Sequence, residues 1–178
     1  PRRVTLPPNQ PQAIRLGVRA PKDLPDGEYR VHLLFRAIPN ATSVAEQVQQ
    51  GEGFSIALTP IYGVTIPVII RQGKLNATAA IANARIEQGD EGKAFTFDLS
   101  RTGDRSTYGE IRVVKQGQDE PLLMVRGIAV YPEITSRKVS LPVPPEVAAL
   151  LKGPLSIEYY EPKNVGGGLI TKTDLVLR

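Results

Sequence analysis

At 178 residues the chain has room for one large domain or two small ones, and 41% hydrophobic with 22% charged residues excludes a disordered polymer. The net charge of +4 divides into eight Lys/Arg against five Asp/Glu before Gly73 and fourteen against thirteen after it, so neither part carries the basic stripe that nucleic acid requires. Cysteine is absent, which removes disulfides, thiolate metal sites and Cys nucleophiles, and no apolar run reaches the roughly 20 residues of a membrane helix. The chain opens on Pro1 with neither an initiator Met nor a signal peptide and reads as a processed or truncated product.

Taken in chain order, the elements follow a period of two. Val4-Thr-Leu6 is a short candidate strand, and Ile14, Leu16 and Val18 alternate with Arg15, Gly17 and Arg19. After the turn PKDLPDG at 21–27, Tyr29, Val31, Leu33 and Phe35 alternate with Arg30, His32, Leu34 and Arg36. The polar stretch 41–53 lacks β-branched density and reads as a loop. It leads into GFSIALTPIYGVTIPVII at 53–70, where Phe54, Ile56 and Leu58 alternate before a nearly continuous apolar run from Val64 to Ile70. Pro60 and Pro67 sit awkwardly in a buried central strand, because each removes a ladder N–H. An exposed strand this apolar would template aggregation. The stretch therefore divides into an alternating edge, limited by Pro60, and a core strand from Val64 to Ile70 that ends at Arg71.

Beyond Arg71-Gln-Gly-Lys74, strands are expected around 95–99, 111–115, 123–131, 139–143, 155–159 and 169–177. PPEVAALLKG at 144–153 has Pro at its start, Glu in the first turn and Gly after its end, the signature of one or two helical turns. Gly166-Gly-Gly168 lies between two strands, without the helix N-terminus that makes a Gly loop hold phosphate, and reads as a hairpin. Sixteen Pro and sixteen Gly, spread between the apolar runs, fit many short strands and turns. The expected fold is all-β: two immunoglobulin-like β-sandwich domains, 1–72 and 73–178. The first is incomplete, because four or five strand candidates cannot close a seven-stranded sandwich. Its early strands would be lost, cleaved or supplied by a second chain.

Little in the chain can do catalysis. His32 is the only histidine, lies among alternating strand residues and is not accompanied by GxSxG, so a serine-hydrolase triad has no base. Asp90-Glu91 and Asp119-Glu120 read as solvated turn residues rather than a glycosidase pair, and no calcium loop or zinc spacing occurs. Arg101 to Tyr108 (RTGDRSTY) is a dense polar cluster that reads as a hydrogen-bonded turn. We expect no enzyme activity, no cofactor and no metal.

The first 72 residues carry a more specific pattern. Gln12 to Leu16, Leu24-Pro25 with Glu28, Arg36 with Ile38-Pro39, and Ile56-Ala57-Leu58 occur in the order and spacing of periplasmic pilus (fimbrial) chaperones. The chain thus resembles the PapD-like family over about 40% of its length, in the second half of the family's first domain. The resemblance implies a periplasmic chaperone of two immunoglobulin-like domains that lends an edge strand to pilus subunits before an outer-membrane usher receives them. Subunit binding would then fall on Phe54, Ile56 and Leu58, extending to Val64 and Ile66. It also implies that Glu28 and Arg71 form an exposed ion pair fixing the interdomain angle, with Asn164 at the position of the family's third, acidic member. The family Lys that anchors a subunit carboxylate should fall near Tyr62 to Thr65 and is absent. In such a bacterial setting the N-A-T triplets at Asn40 and Asn76 match the glycosylation pattern by coincidence. The rival expectation is a tandem immunoglobulin-like structural or adhesive surface module. A sugar-binding sandwich would want exposed aromatics, and the chain has no Trp.

Overall fold

The computed structural model describes residues 3–39, 58–89 and 92–177. Within them the chain is all-β, with nine strands in three antiparallel sheets. Strands β1 (Gly27–Arg36) and β2 (Gly63–Gln72) form a two-stranded ribbon. Strands β3 (Ala77–Gly89), β4 (Gly92–Gly103) and β7 (Ser136–Pro142) form a sheet in the order β3-β4-β7. Strands β5 (Thr107–Lys115), β6 (Pro121–Val130), β8 (Gly153–Tyr160) and β9 (Leu169–Leu177) form a second sheet in the order β6-β5-β8-β9.

The three-stranded and four-stranded sheets pack face to face over one core. Alternation decides its membership. Phe95, Phe97 and Leu99 of β4 point inward, as do Ile111 and Val113 of β5, Val139 and Leu141 of β7, and Leu155, Ile157 and Tyr159 of β8. Every second residue on these strands faces the opposite sheet, so a period of two buries one complete face. The buried Tyr159 phenol donates to the Ile128 carbonyl at 2.8 Å, and burial pushes its pKa up to about 12. A one-turn helix, α1 (Pro145–Ala148), bridges β7 and β8 and leads to the fully buried Leu151. Lys163 to Val165 make a single 3-10 turn, and Gly166 and Gly167 then take positive φ to close the β8–β9 hairpin.

Several expectations are corrected. Val4–Leu6 and Ile14–Val18 form no strand: their apolar side chains are about half exposed and they have no ladder partner among the described residues. Alternation alone does not make a strand; a neighbour must accept the backbone hydrogen bonds. Conversely β3 was not expected. Its Ala-rich sequence has weak strand propensity, but pairing with β4 along most of its length overrides that, with a bulge after Ala82 and Asn83 at positive φ. The 64–70 run is a strand but not a buried one. Val64 and Ile66 remain 60% and 46% exposed, because no second sheet among the described residues faces β2. Pro67 is accommodated because β2 has a partner on one side only. The expectations for 41–53, Phe54, Ile56, Asn40 and Asp90-Glu91 concern residues outside the described ones. No helix among those residues is long and apolar enough to cross a membrane.

Candidate functional site

The β1–β2 ribbon combines two very different faces. Its register sets Tyr29 opposite Ile70, Val31 opposite Val68, Leu33 opposite Ile66 and Phe35 opposite Val64. Side chains alternate across a strand, so these eight apolar residues share one face. None belongs to the core of the sandwich. Val31 is 53% exposed, and Leu58, just before the ribbon, is 89% exposed. A contiguous apolar ladder of this kind is unusual on a protein surface. It is also intrinsically marginal, since an isolated two-stranded ribbon has little stability of its own in water.

The opposite face joins the sandwich. Glu28 and Arg71 are cross-strand partners, and Arg71 Nε donates to Glu28 Oε2 at 3.0 Å. The same oxygen accepts the Ser106 backbone N–H at 2.9 Å and the Ser106 hydroxyl at 2.8 Å, and Arg71 Nη2 reaches the Ser106 hydroxyl at 3.3 Å. The pair is not the exposed one expected. The Glu28 side chain is only 2% exposed, while Arg71 stays partly open to solvent. Burial alone would raise the Glu28 pKa, but the Ser106 and Arg71 hydrogen bonds outweigh it and hold the carboxyl below its ordinary value. Glu28 Oε1 is buried and has no partner among the described residues.

A second contact lies two residues along β1. Arg30 donates to Glu133 at 2.9 Å and stacks 3.8 Å above the Tyr131 ring. Both gripping loops are tied together by a residue that sequence reasoning passed over. Arg101, 5% exposed, donates to the carbonyls of Gly103 and Arg105 in the β4–β5 turn and to that of Pro132 in the β6–β7 turn. A buried guanidinium has five rigid donors, so one side chain can organise two loops. The RTGDRSTY cluster is thus a hydrogen-bonded turn, with Asp104 also accepting the Asn76 N–H at 2.6 Å. That it contacts β1 through Ser106 had no local sequence signal.

The structure brings Glu28 and Arg71 together but not Asn164. Asn164 sits in the 3-10 turn before β9 and lines a different surface cleft, while Ser106 occupies the third place at the Glu28–Arg71 pair. Leu58, Val64 and Ile66 are all exposed, and the last two lie on the apolar face of the ribbon. His32 stands opposite Pro67 on the other face. No group of three His, Asp or Glu side chains among the described residues is placed to hold a metal. No family model matches the chain, and no curated protein or solved structure is detectably similar to it.

Proposed function

We propose that the protein is a non-enzymatic periplasmic chaperone that binds pilus-type subunits by strand addition and delivers them toward an outer-membrane usher. The observation that carries this reading is the half-exposed apolar ladder of β1 and β2, with Leu58 exposed ahead of β2; the alternation of Phe54, Ile56 and Leu58 in the sequence supports it. A strand edge supplies main-chain hydrogen bonds to a partner sheet, and side chains at every second position fill its groove. The order of the motifs at Gln12–Leu16, Leu24-Pro25, Arg36 and Ile56–Leu58 favours the pilus-chaperone class. The Glu28–Arg71 pair favours it further, as a device that sets the ribbon on the second unit.

The seven strands after Gly73 support an immunoglobulin-like domain. Lettered A to G in chain order, they make sheets ABE and DCFG, which is the constant-type arrangement with its fourth strand moved to the other sheet. The β1–β2 ribbon and the residues before it are then part of a second, incomplete sandwich.

Co-expression with a pilus-type subunit lacking its final strand tests the reading. Wild-type protein is expected to co-purify with the subunit and keep it soluble, whereas the Ile56→Asp/Leu58→Asp double variant is expected to lose capture while its sandwich stays folded. Undiminished capture by the folded variant would refute strand addition. Slow hydrogen exchange throughout 54–70 in the isolated protein would instead favour a tandem structural or adhesive module, with the strand permanently paired.

A further inference from the structure

A cleft away from the apolar ladder lies on the four-stranded sheet, where β5 begins and β6 and β8 end. Its volume is about 660 Å³, within the range of roughly 300–1,000 Å³ typical of ligand sites. The cleft exists because the ladder is broken there. The register shifts between Gly109 and Glu110, and Gly127 takes a positive φ of 79° opposite the break. Gly109 has no side chain, so the Tyr160 carbonyl can approach its Cα; a Cβ there would collide with that oxygen.

Charge in the cleft is arranged rather than scattered. Glu110 accepts Arg112 Nε with one oxygen and Arg126 Nε with the other, both at 2.6 Å. Its side chain is largely buried, and the hydrogen bonds from Arg126 and then Arg112 hold its carboxyl below the ordinary value. Arg112 also lies over the Tyr160 ring at 4.8 Å. Engaging each guanidinium through Nε leaves its Nη pair available. Among the described residues, the Nη atoms of Arg126 and the Nζ of Lys163 have no hydrogen-bond partner. Three cationic side chains thus line the cleft against two carboxylates, and the second, Glu161, is already approached by Arg105 at 3.4 Å. Unused capacity is mainly that of donors, beside Tyr108, a residue 43% exposed.

We propose that this cleft is a peptide-binding site that takes an acidic side chain on Arg126 and Lys163 and a neighbouring apolar side chain against Tyr108. A guanidinium held by Nε presents its two Nη groups as a planar fork, which matches a carboxylate in two parallel hydrogen bonds. An exposed tyrosine next to that fork supplies a flat apolar contact at low entropy cost. The site stands whether or not the ribbon captures subunits, because it shares no residue with the ladder.

The test is fluorescence anisotropy of the full chain with labelled Gly-Tyr-Glu-Glu-Tyr and its Gln-substituted counterpart. The Glu peptide is expected to bind and to weaken as salt rises. Arg126→Ala is expected to weaken it about tenfold, Arg126→Ala/Lys163→Ala further, and Arg126→Lys to restore only part, since an ammonium cannot form the fork. Arg126 is 76% exposed, so unchanged thermal melting is expected to show the variants folded. Equal affinity for the Gln peptide, no loss in the folded double variant, or full displacement of the peptide by inorganic phosphate at the peptide's own concentration would overturn the proposal.

Discussion

Glu28 concentrates the physics of the ribbon–sandwich junction in one carboxylate. One oxygen accepts three donors and the other has none, so the group is strongly held yet not fully satisfied. Removing its charge leaves Ser106 and Arg71 poorly partnered, and Glu28→Gln is expected to lower stability by about 1–2 kcal/mol at neutral pH. The sign of the pH dependence follows from the downward net shift. Stability contributed by a depressed carboxyl is present above its ordinary value of 4.5 and is lost as pH falls through the lower folded value. Thermal melts of wild type and Glu28→Gln are therefore expected to differ at pH 7 and to converge in acid below pH 4.5. A constant gap across that range would show that the carboxylate charge is not what matters.

Among the elements, the two turns that receive β1 depend on Arg101. Its guanidinium satisfies carbonyls in both turns and is nearly inaccessible to water. Arg101→Met keeps the volume but leaves three carbonyls without their donor, which is expected to cost about 3 kcal/mol by chemical denaturation. Amides of 103–107 and 131–135 are expected to exchange faster in the variant, because both turns lose the same tie. The elements differ in how far local sequence announced them. β4, β5 and β8 were legible because inward-facing Phe, Ile, Leu and Val recur at a period of two. β3 was not, since its small alanines carry almost no pattern and its state is settled by pairing with β4. Ile14–Val18 shows the reverse case, a good pattern with no ladder to join among the described residues.

For the molecule as a whole, stability is unevenly shared. Among the described residues the sandwich from β3 to β9 holds all of the buried core, while the ribbon is tied to it by the Glu28 and Arg30 contacts. A fragment of residues 74–178 is therefore expected to fold cooperatively by itself, with a melting midpoint close to that of the full chain. Circular dichroism melts of the two compare them directly. Failure of the fragment to fold would mean that the ribbon contributes to the core in a way its contacts do not reveal. The low stability expected for the ribbon follows from its two strands and its few ties to the sandwich.

By itself the sequence determined the all-β class, the helical turn after β7 and the hairpin at the triple glycine. Each rests on local periodicity or on turn chemistry, and such signals reside in neighbouring residues. Only the tertiary structure decided that Ser106 rather than Asn164 completes the Glu28 site, and that Arg101 is buried. It also decided that Glu110 fixes two arginines beside a cleft. Those arrangements join residues separated by up to 78 positions, and no local pattern encodes which loop will arrive at which strand. The apolar ladder belongs to both levels: alternation made each strand amphipathic, and the register of β1 on β2 gathered eight side chains onto one face, four of them exposed and four partly buried.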